Sequence, residues 1–151
     1  MSTTSNEIEM AMPQKNSLLE VSLYLKGTEL DVEGVSRRLG VTPTKVNRRG
    51  EPKVRAQESP TYATTTWKFS RKAESRDVNG TLIELLDSIN MTTRPMDMEG
   101  VDDAFIDVFL AQTVEPGELG SSIEWTLSAE ALVALQRIGL SVRFSVCNVE
   151  P

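Results

Sequence analysis

Near the start of the chain, LEVSLYL sets Leu19, Val21, Leu23 and Leu25 on one side and Glu20, Ser22 and Tyr24 on the other. A period of two over seven residues predicts a β-strand with one wet face. Lys26-Gly27-Thr28 closes it, Asp31 suits a helix N-cap, and Val32, Val35 and Leu39 share one helical face before Gly40 ends the run. TTTWKF then alternates again, with Thr65, Trp67 and Phe69 opposed to Thr64, Thr66 and Lys68. Leu82, Leu85, Leu86 and Ile89 follow the i, i+3, i+4, i+7 spacing of a helix stripe, with Ile83 beside it. After a loop from Thr92 to Gly100, AFIDVFL separates Ile106, Val108 and Leu110 from Phe105, Asp107 and Phe109. EPGELGS reads as a turn. The last stretch reads strand, helix, strand: Ile123, Trp125 and Leu127 alternate, Ser128 caps a helix carrying Leu132, Leu135 and Ile138, Gly139 stops it, and Leu140, Val142, Phe144 and Val146 alternate again.

The order β-α-β-α-β-β-α-β with five one-sided strands predicts an α+β fold, a mostly antiparallel five-stranded sheet with helices packed on one face. The other face would carry Glu20, Ser22 and Tyr24, then Thr64, Thr66 and Lys68, then Phe105, Asp107 and Phe109, Glu124 and Thr126, and Ser141, Arg143, Ser145 and Cys147. LYLKGTELDVEGVSRRLGV and IEWTLSAEALVALQRIGL both read strand, cap, helix, Arg, aliphatic, Gly, which suggests a β-α-β pseudo-repeat. Residues 1–16 are polar and aperiodic and are expected to form a disordered N-terminal tail, leaving 17–149 as one domain.

Composition narrows the chemistry. The chain has no histidine and one cysteine, Cys147. That removes Ser-His-Asp and Cys-His catalysis, histidine-based zinc sites, thiolate clusters and an internal disulfide. Apolar content of 39% with 25% charged residues is that of a globular domain. No apolar run is long enough for a membrane span and no secretory leader pattern opens the chain, so the expected compartment is the cytoplasm, with no membrane partner.

Charge is the asymmetric feature. The net charge is −6, yet residues 37–76 hold 11 of the 16 Lys and Arg against three acids, a local balance of +8 that leaves −14 for everything else. Much of the positive charge sits in VTPTKVNRRGEPKVRAQESP, residues 41–60, which reads as an aperiodic loop. Lys45, Arg48, Arg49, Lys53 and Arg55 could contact phosphates there, with Arg37 and Arg38 in support; the plainer reading is a solvated loop. The acidic remainder of the surface would repel a nucleic-acid backbone. Phe105 and Phe109 lie on one strand face, but Asp107 stands between them and the basic signature of an RNA-stacking strand is missing. Asp97, Glu99, Asp102, Asp103 and Asp107 do not follow the calcium-loop order, so no metal is expected. The isolated glycines form no phosphate loop, and nothing in the carboxylate spacing marks an acid–base pair, so no cofactor and no catalytic residue is assigned.

The run Leu23-Tyr-Leu-Lys-Gly27, then Leu39-Gly-Val-Thr-Pro43, Arg49-Gly50, Trp67 opening a strand and the Leu82–Leu86 helix resemble the bacterial DUF4279 domain over roughly residues 18–147. Members are small cytoplasmic proteins, some in settings that suggest immunity to secreted toxins, and the family brings no catalytic residues. By itself the sequence supports a non-catalytic binding module, whose acidic surface could block a basic cleft while a basic loop fixes register. The resemblance makes the expected partner a cognate toxin encoded nearby. The expected contact residues are Arg48, Arg49, Lys53, Arg55, Asp102, Asp103, Phe105, Asp107 and Phe109. A nucleic-acid or phosphate binder acting through residues 45–55 is the alternative.

Overall fold

Leu19, Val21, Leu23 and Leu25 are fully buried, and the strand that carries them, β1 (Ser17–Gly27), is the centre of the sheet. The computed structural model describes residues 17–55, 58–113 and 124–149. Along the chain follow α1 (Val32–Leu39), β2 (Lys45–Asn47), β3 (Thr65–Ala73), α2 (Val78–Asp87), a 3-10 turn (Pro95–Asp97), β4 (Asp103–Thr113), α3 (Ala129–Ile138) and β5 (Ser141–Val149). The strands lie in the order β2-β3-β1-β4-β5. The fold is α+β with a mixed sheet: β1 runs antiparallel to β3 and β4, β2 antiparallel to β3, and β5 parallel to β4. The parallel pair follows from α3, since a strand reached through a crossover helix returns in the same direction.

One sheet face is covered. Trp67, Ile106, Val108 and Leu110 join the four β1 residues against Val35 and Leu39 of α1, Leu82 and Leu85 of α2, and Leu135 and Ile138 of α3. All three helices begin at a side-chain cap: the carboxylates of Asp31 and Asp77 accept from Gly34 N and Gly80 N, and the Ser128 hydroxyl accepts from Ala131 N. α1 and α3 end at Gly40 and Gly139, both at φ 69°, the left-handed conformation that glycine adopts at low cost. This is the helical half of the predicted pseudo-repeat.

Its strand half differs. Residues 124–127 form no strand: the Trp125 ring packs tilted at 40° against Phe144, centroids 4.6 Å apart, the Thr126 carbonyl accepts from Asn79 Nδ2, and Asn79 Oδ1 accepts from Ser128 N. The Thr126 carbonyl is thus taken by the first turn of α2 and not by a neighbouring strand. Ile123, the turn at 115–121 and the tail at 1–16 lie outside the described residues. The fifth strand comes instead from within the basic loop. In β2, Val46 faces the core opposite Trp67 while Lys45 lies opposite Lys68. A single inward apolar residue gives no period to read, and Thr44 anchors the turn through its N–H to the Lys68 carbonyl and its hydroxyl from Ser70 N.

Two burial expectations are corrected at the C-terminal end. Leu132 is exposed and Ala131 takes its place on the buried stripe, because the stripe runs 131, 135, 138. Phe144 and Val146 do lie on the helix-side face, in register with Val108 and Leu110, but both are exposed. β5 is the last strand of the sheet, and a strand at the end of a sheet is covered by fewer neighbours. No helix among the described residues is long and apolar enough to cross a membrane.

Candidate functional site

The face of the sheet turned away from the helices is a charged and aromatic surface built by strand register. Lys45, Lys68, Tyr24 and Phe105 stand in one row across β2, β3, β1 and β4, because each is the cross-strand neighbour of the next. Tyr24 and Phe105 stack at 5.0 Å with an interplanar angle of 18°. Lys68 Nζ lies 5.4 Å from the Tyr24 ring centre, while Lys26 and Arg143 stand 5.6 and 4.4 Å from that of Phe105. Phe105 is therefore buried at 7% exposure although it faces away from the core: its cover is one ring and two cationic side chains. Beyond this row Ser22 and Ser70 share a hydrogen bond of 2.8 Å. Farther along, Glu20 Oε1 accepts from Lys68 Nζ at 2.7 Å and Glu20 Oε2 lies 3.5 Å from Lys72 Nζ.

The electrostatics of this face hold charges in place. Burial pushes the Glu20 carboxyl up, but the hydrogen bond from Lys68 and the charges of Lys68 and Lys72 outweigh it and hold the group below its ordinary value. Burial pushes the Lys68 ammonium down, and its contacts with Glu20 and Tyr24 outweigh that and raise it. Both shifts favour the charged forms, so the pair is suited to shape a surface more than to exchange protons near neutral pH. Among the described residues no group of three His, Cys, Asp or Glu side chains is placed to hold a metal ion.

The predicted contact residues fall into separate places. Phe105, Asp107 and Phe109 are on the open sheet face; Asp107 lies between Ser22 and Arg143 in register, and Phe109 between Glu20 and Ser145. Asp103 opens β4 opposite Lys26, whereas Asp102 Oδ2 accepts from Thr28 N and serves the turn after β1. Arg48 and Arg49 are tied back to the region of α1. Arg48 Nη2 donates to Glu33 Oε1 at 2.6 Å and Arg49 Nη1 lies 3.5 Å from Glu29 Oε1, both pairs well exposed. The Arg48 hydrogen bond holds the Glu33 carboxyl below its ordinary value. Lys53 stands 5.8 Å from the Tyr62 ring centre, in the arm closed by the Pro52–Thr61 bridge, and Arg55 is exposed on the same arm. The basic arm and the open-face aromatics thus do not form one cluster; Lys45 alone of the arm's cations enters the sheet row.

The end of the sheet adds exposed apolar groups that the sequence does not mark as exposed. Phe144 and Val146 on the helix side of β5, Val149 on its other side, and Leu132 and Val133 of α3 are five of the eight large apolar side chains exposed among the described residues, each between 39% and 59% exposed. The nine residues of β5, SVRFSVCNV, contain one charge and neither proline nor glycine. Alternation along β5 marks an apolar side, but only its place at the end of the sheet leaves that side uncovered, and that place depends on how the strands pair.

A five-stranded sheet with one helix-covered face and one charged and aromatic face defines a small α+β domain. Residues 17–148 match the family described as a domain of unknown function, DUF4279, and the chain belongs to that family. No curated protein and no solved structure shows significant similarity to it.

Proposed function

We propose that the chain is a non-catalytic protein-binding domain, an immunity-type protein that binds and inhibits a cognate toxin in the bacterial cytoplasm. The observation that carries the binding reading is the exposure of Phe144 and Val146 on the helix-side face of β5, the last strand of the sheet. An edge strand with one charged residue, Arg143, and no proline, whose helix-side residues Phe144 and Val146 are exposed, is a template for a partner strand. The immunity role adds the family setting to the charge division of the surface, +8 in residues 37–76 against −14 elsewhere, which suits a partner with a basic cleft. The alternative, a nucleic-acid or phosphate binder acting through residues 45–55, draws less support, because the −14 carried outside residues 37–76 would repel a polyanionic backbone.

Co-purification with the product of the adjacent gene tests the reading. The expected result is a one-to-one complex by light scattering, with Val146→Lys weakening it and the fold unchanged by circular dichroism. Failure of that product to bind overturns the immunity role, and tight binding of an oligonucleotide in its place restores the alternative.

A further inference from the structure

The basic segment has one feature that ion pairing to α1 does not exhaust. Between α1 and the short end strand β2 runs an open groove of about 400 Å³, with Val32, Pro43 and Val46 as apolar lining and Arg37, Arg48 and the Glu33 that pairs with Arg48 as its charged groups. Its floor is firmly held. Trp67 Nε1 donates to Ser36 Oγ at 3.0 Å, Ser36 Oγ donates to the Val32 carbonyl at 3.0 Å, and Val46 sits in register with Trp67. The groove lies at the opposite end of the sheet from β5, so whatever occupies it contacts a surface separate from the apolar edge.

We propose that this groove seats an extended acidic segment of a partner protein; the proposal rests on the protein-binding reading above and adds a second point of contact to it. The volume is enough for a few side chains of a bound segment. An extended chain alternates its side chains, so apolar residues can meet Val32, Pro43 and Val46 while carboxylates reach the guanidinium groups. Arg37 is exposed on the last turn of α1, and Arg48 is already held by a carboxylate, Glu33, in an exposed pair that an incoming carboxylate can share or replace. A single-stranded nucleic acid fits less well, because the groove lining contains no aromatic ring for a base to stack on.

The probe is a fluorescein-labelled hexapeptide, Glu-Val-Glu-Val-Glu-Val, followed by anisotropy on the full chain at low salt, with Lys-Val-Lys-Val-Lys-Val and a ten-residue oligothymidylate as comparisons. Saturable binding of the acidic peptide alone is expected, weakened roughly tenfold by R37E/R48E, since two exposed charge pairs are lost and reversal adds repulsion. Should the reversed variant lose its circular dichroism spectrum, R37A/R48A serves, with a smaller loss expected. Equal binding of both peptides, binding unaffected by either pair of substitutions, preference for the oligothymidylate, or no binding overturns the proposal. Its failure is separable from that of the protein-binding reading: a partner captured equally well by wild type and R37E/R48E removes the groove and keeps the reading. Peptide binding that needs Arg37 and Arg48, with no partner captured, keeps the groove and removes the immunity role.

Discussion

Replacing Glu20 by glutamine removes the acceptor that holds Lys68 on the open sheet face. The two side chains are 19% and 20% exposed and their charged atoms are 2.7 Å apart, so the pair is shielded but not sealed from water. At an effective dielectric of about 20 the Coulomb attraction at that distance is roughly 6 kcal/mol, and most of it is offset by the water both groups give up. A net coupling of about 1–2 kcal/mol is expected, in the range of hydrogen bonds to charged groups. Urea unfolding of wild type, Glu20→Gln, Lys68→Met and the double variant measures it directly as a cycle. Glu20→Gln alone is expected to cost about 2 kcal/mol, because it leaves a largely buried ammonium facing an amide. Glu20 has its pKa lowered in the fold, so its contribution is present above the ordinary value of 4.5 and is lost as pH falls through the folded value. Lys68 has its pKa raised, so its contribution is present below 10.5 and is lost as pH rises through the folded value. The coupling should therefore persist across neutral pH, fade in acid, and survive 1 M salt better than an exposed pair would. A coupling below about 0.3 kcal/mol at pH 7, the level of an ordinary surface pair, would refute the account.

Other consequences are simpler to test. Trp67→Phe loses the indole hydrogen bond to Ser36 and part of a fully buried side chain, and is expected to cost about 1–3 kcal/mol by thermal or urea unfolding. Gly27→Ala should destabilise by at least about 2 kcal/mol, because its Cβ would fall 1.9 Å from the Gly100 carbonyl oxygen and backbone must move; the same unfolding assay checks it. Ser128→Ala removes the cap of α3 and should cost about 1 kcal/mol, with helix content otherwise retained. Val146→Lys should change stability by less than about 0.5 kcal/mol, since the side chain is half exposed, while lowering affinity for a partner on β5 by tenfold or more in a titration.

Much of the architecture is legible because local signals and tertiary demands agree. The period-two run of β1, the caps Asp31 and Ser128 and the terminal glycines 40 and 139 are each local patterns, and each is found where the pattern puts it. The pattern is silent where the decisive partner is distant. β2 is three residues with one inward side chain, and it exists because β3 offers a free edge. The stretch 124–127 alternates like a strand but is bound through Thr126 to Asn79, 47 residues away in sequence. For the candidate surfaces the same division holds. That Phe105 faces away from the core follows from its parity in β4, but its burial needs Tyr24 and Arg143 from two other strands. The Glu20–Lys68 pair joins residues 48 apart, and only the β1–β3 register brings them together.

The distribution of satisfied and exposed groups bears on where a partner would grip. On the open sheet face the charges already answer one another: Glu20 has two lysines, and Phe105 is flanked by Lys26 and Arg143. A partner binding there must break those contacts or desolvate them intact, and either cost reduces the affinity gained. On the helix side of β5 the balance is reversed, because Phe144 and Val146 are exposed and apolar, and covering them releases water without displacing an ion pair. The two surfaces should then separate kinetically. The charge division between residues 37–76 and the rest steers approach, and its effect on association should fall as salt rises. The apolar end should govern dissociation, which salt changes little. A complex whose association rate falls with salt while its dissociation rate responds chiefly to Phe144 and Val146 substitutions would carry that signature; a dissociation rate set by the Arg48 and Arg49 pairs would place the grip on the basic arm instead.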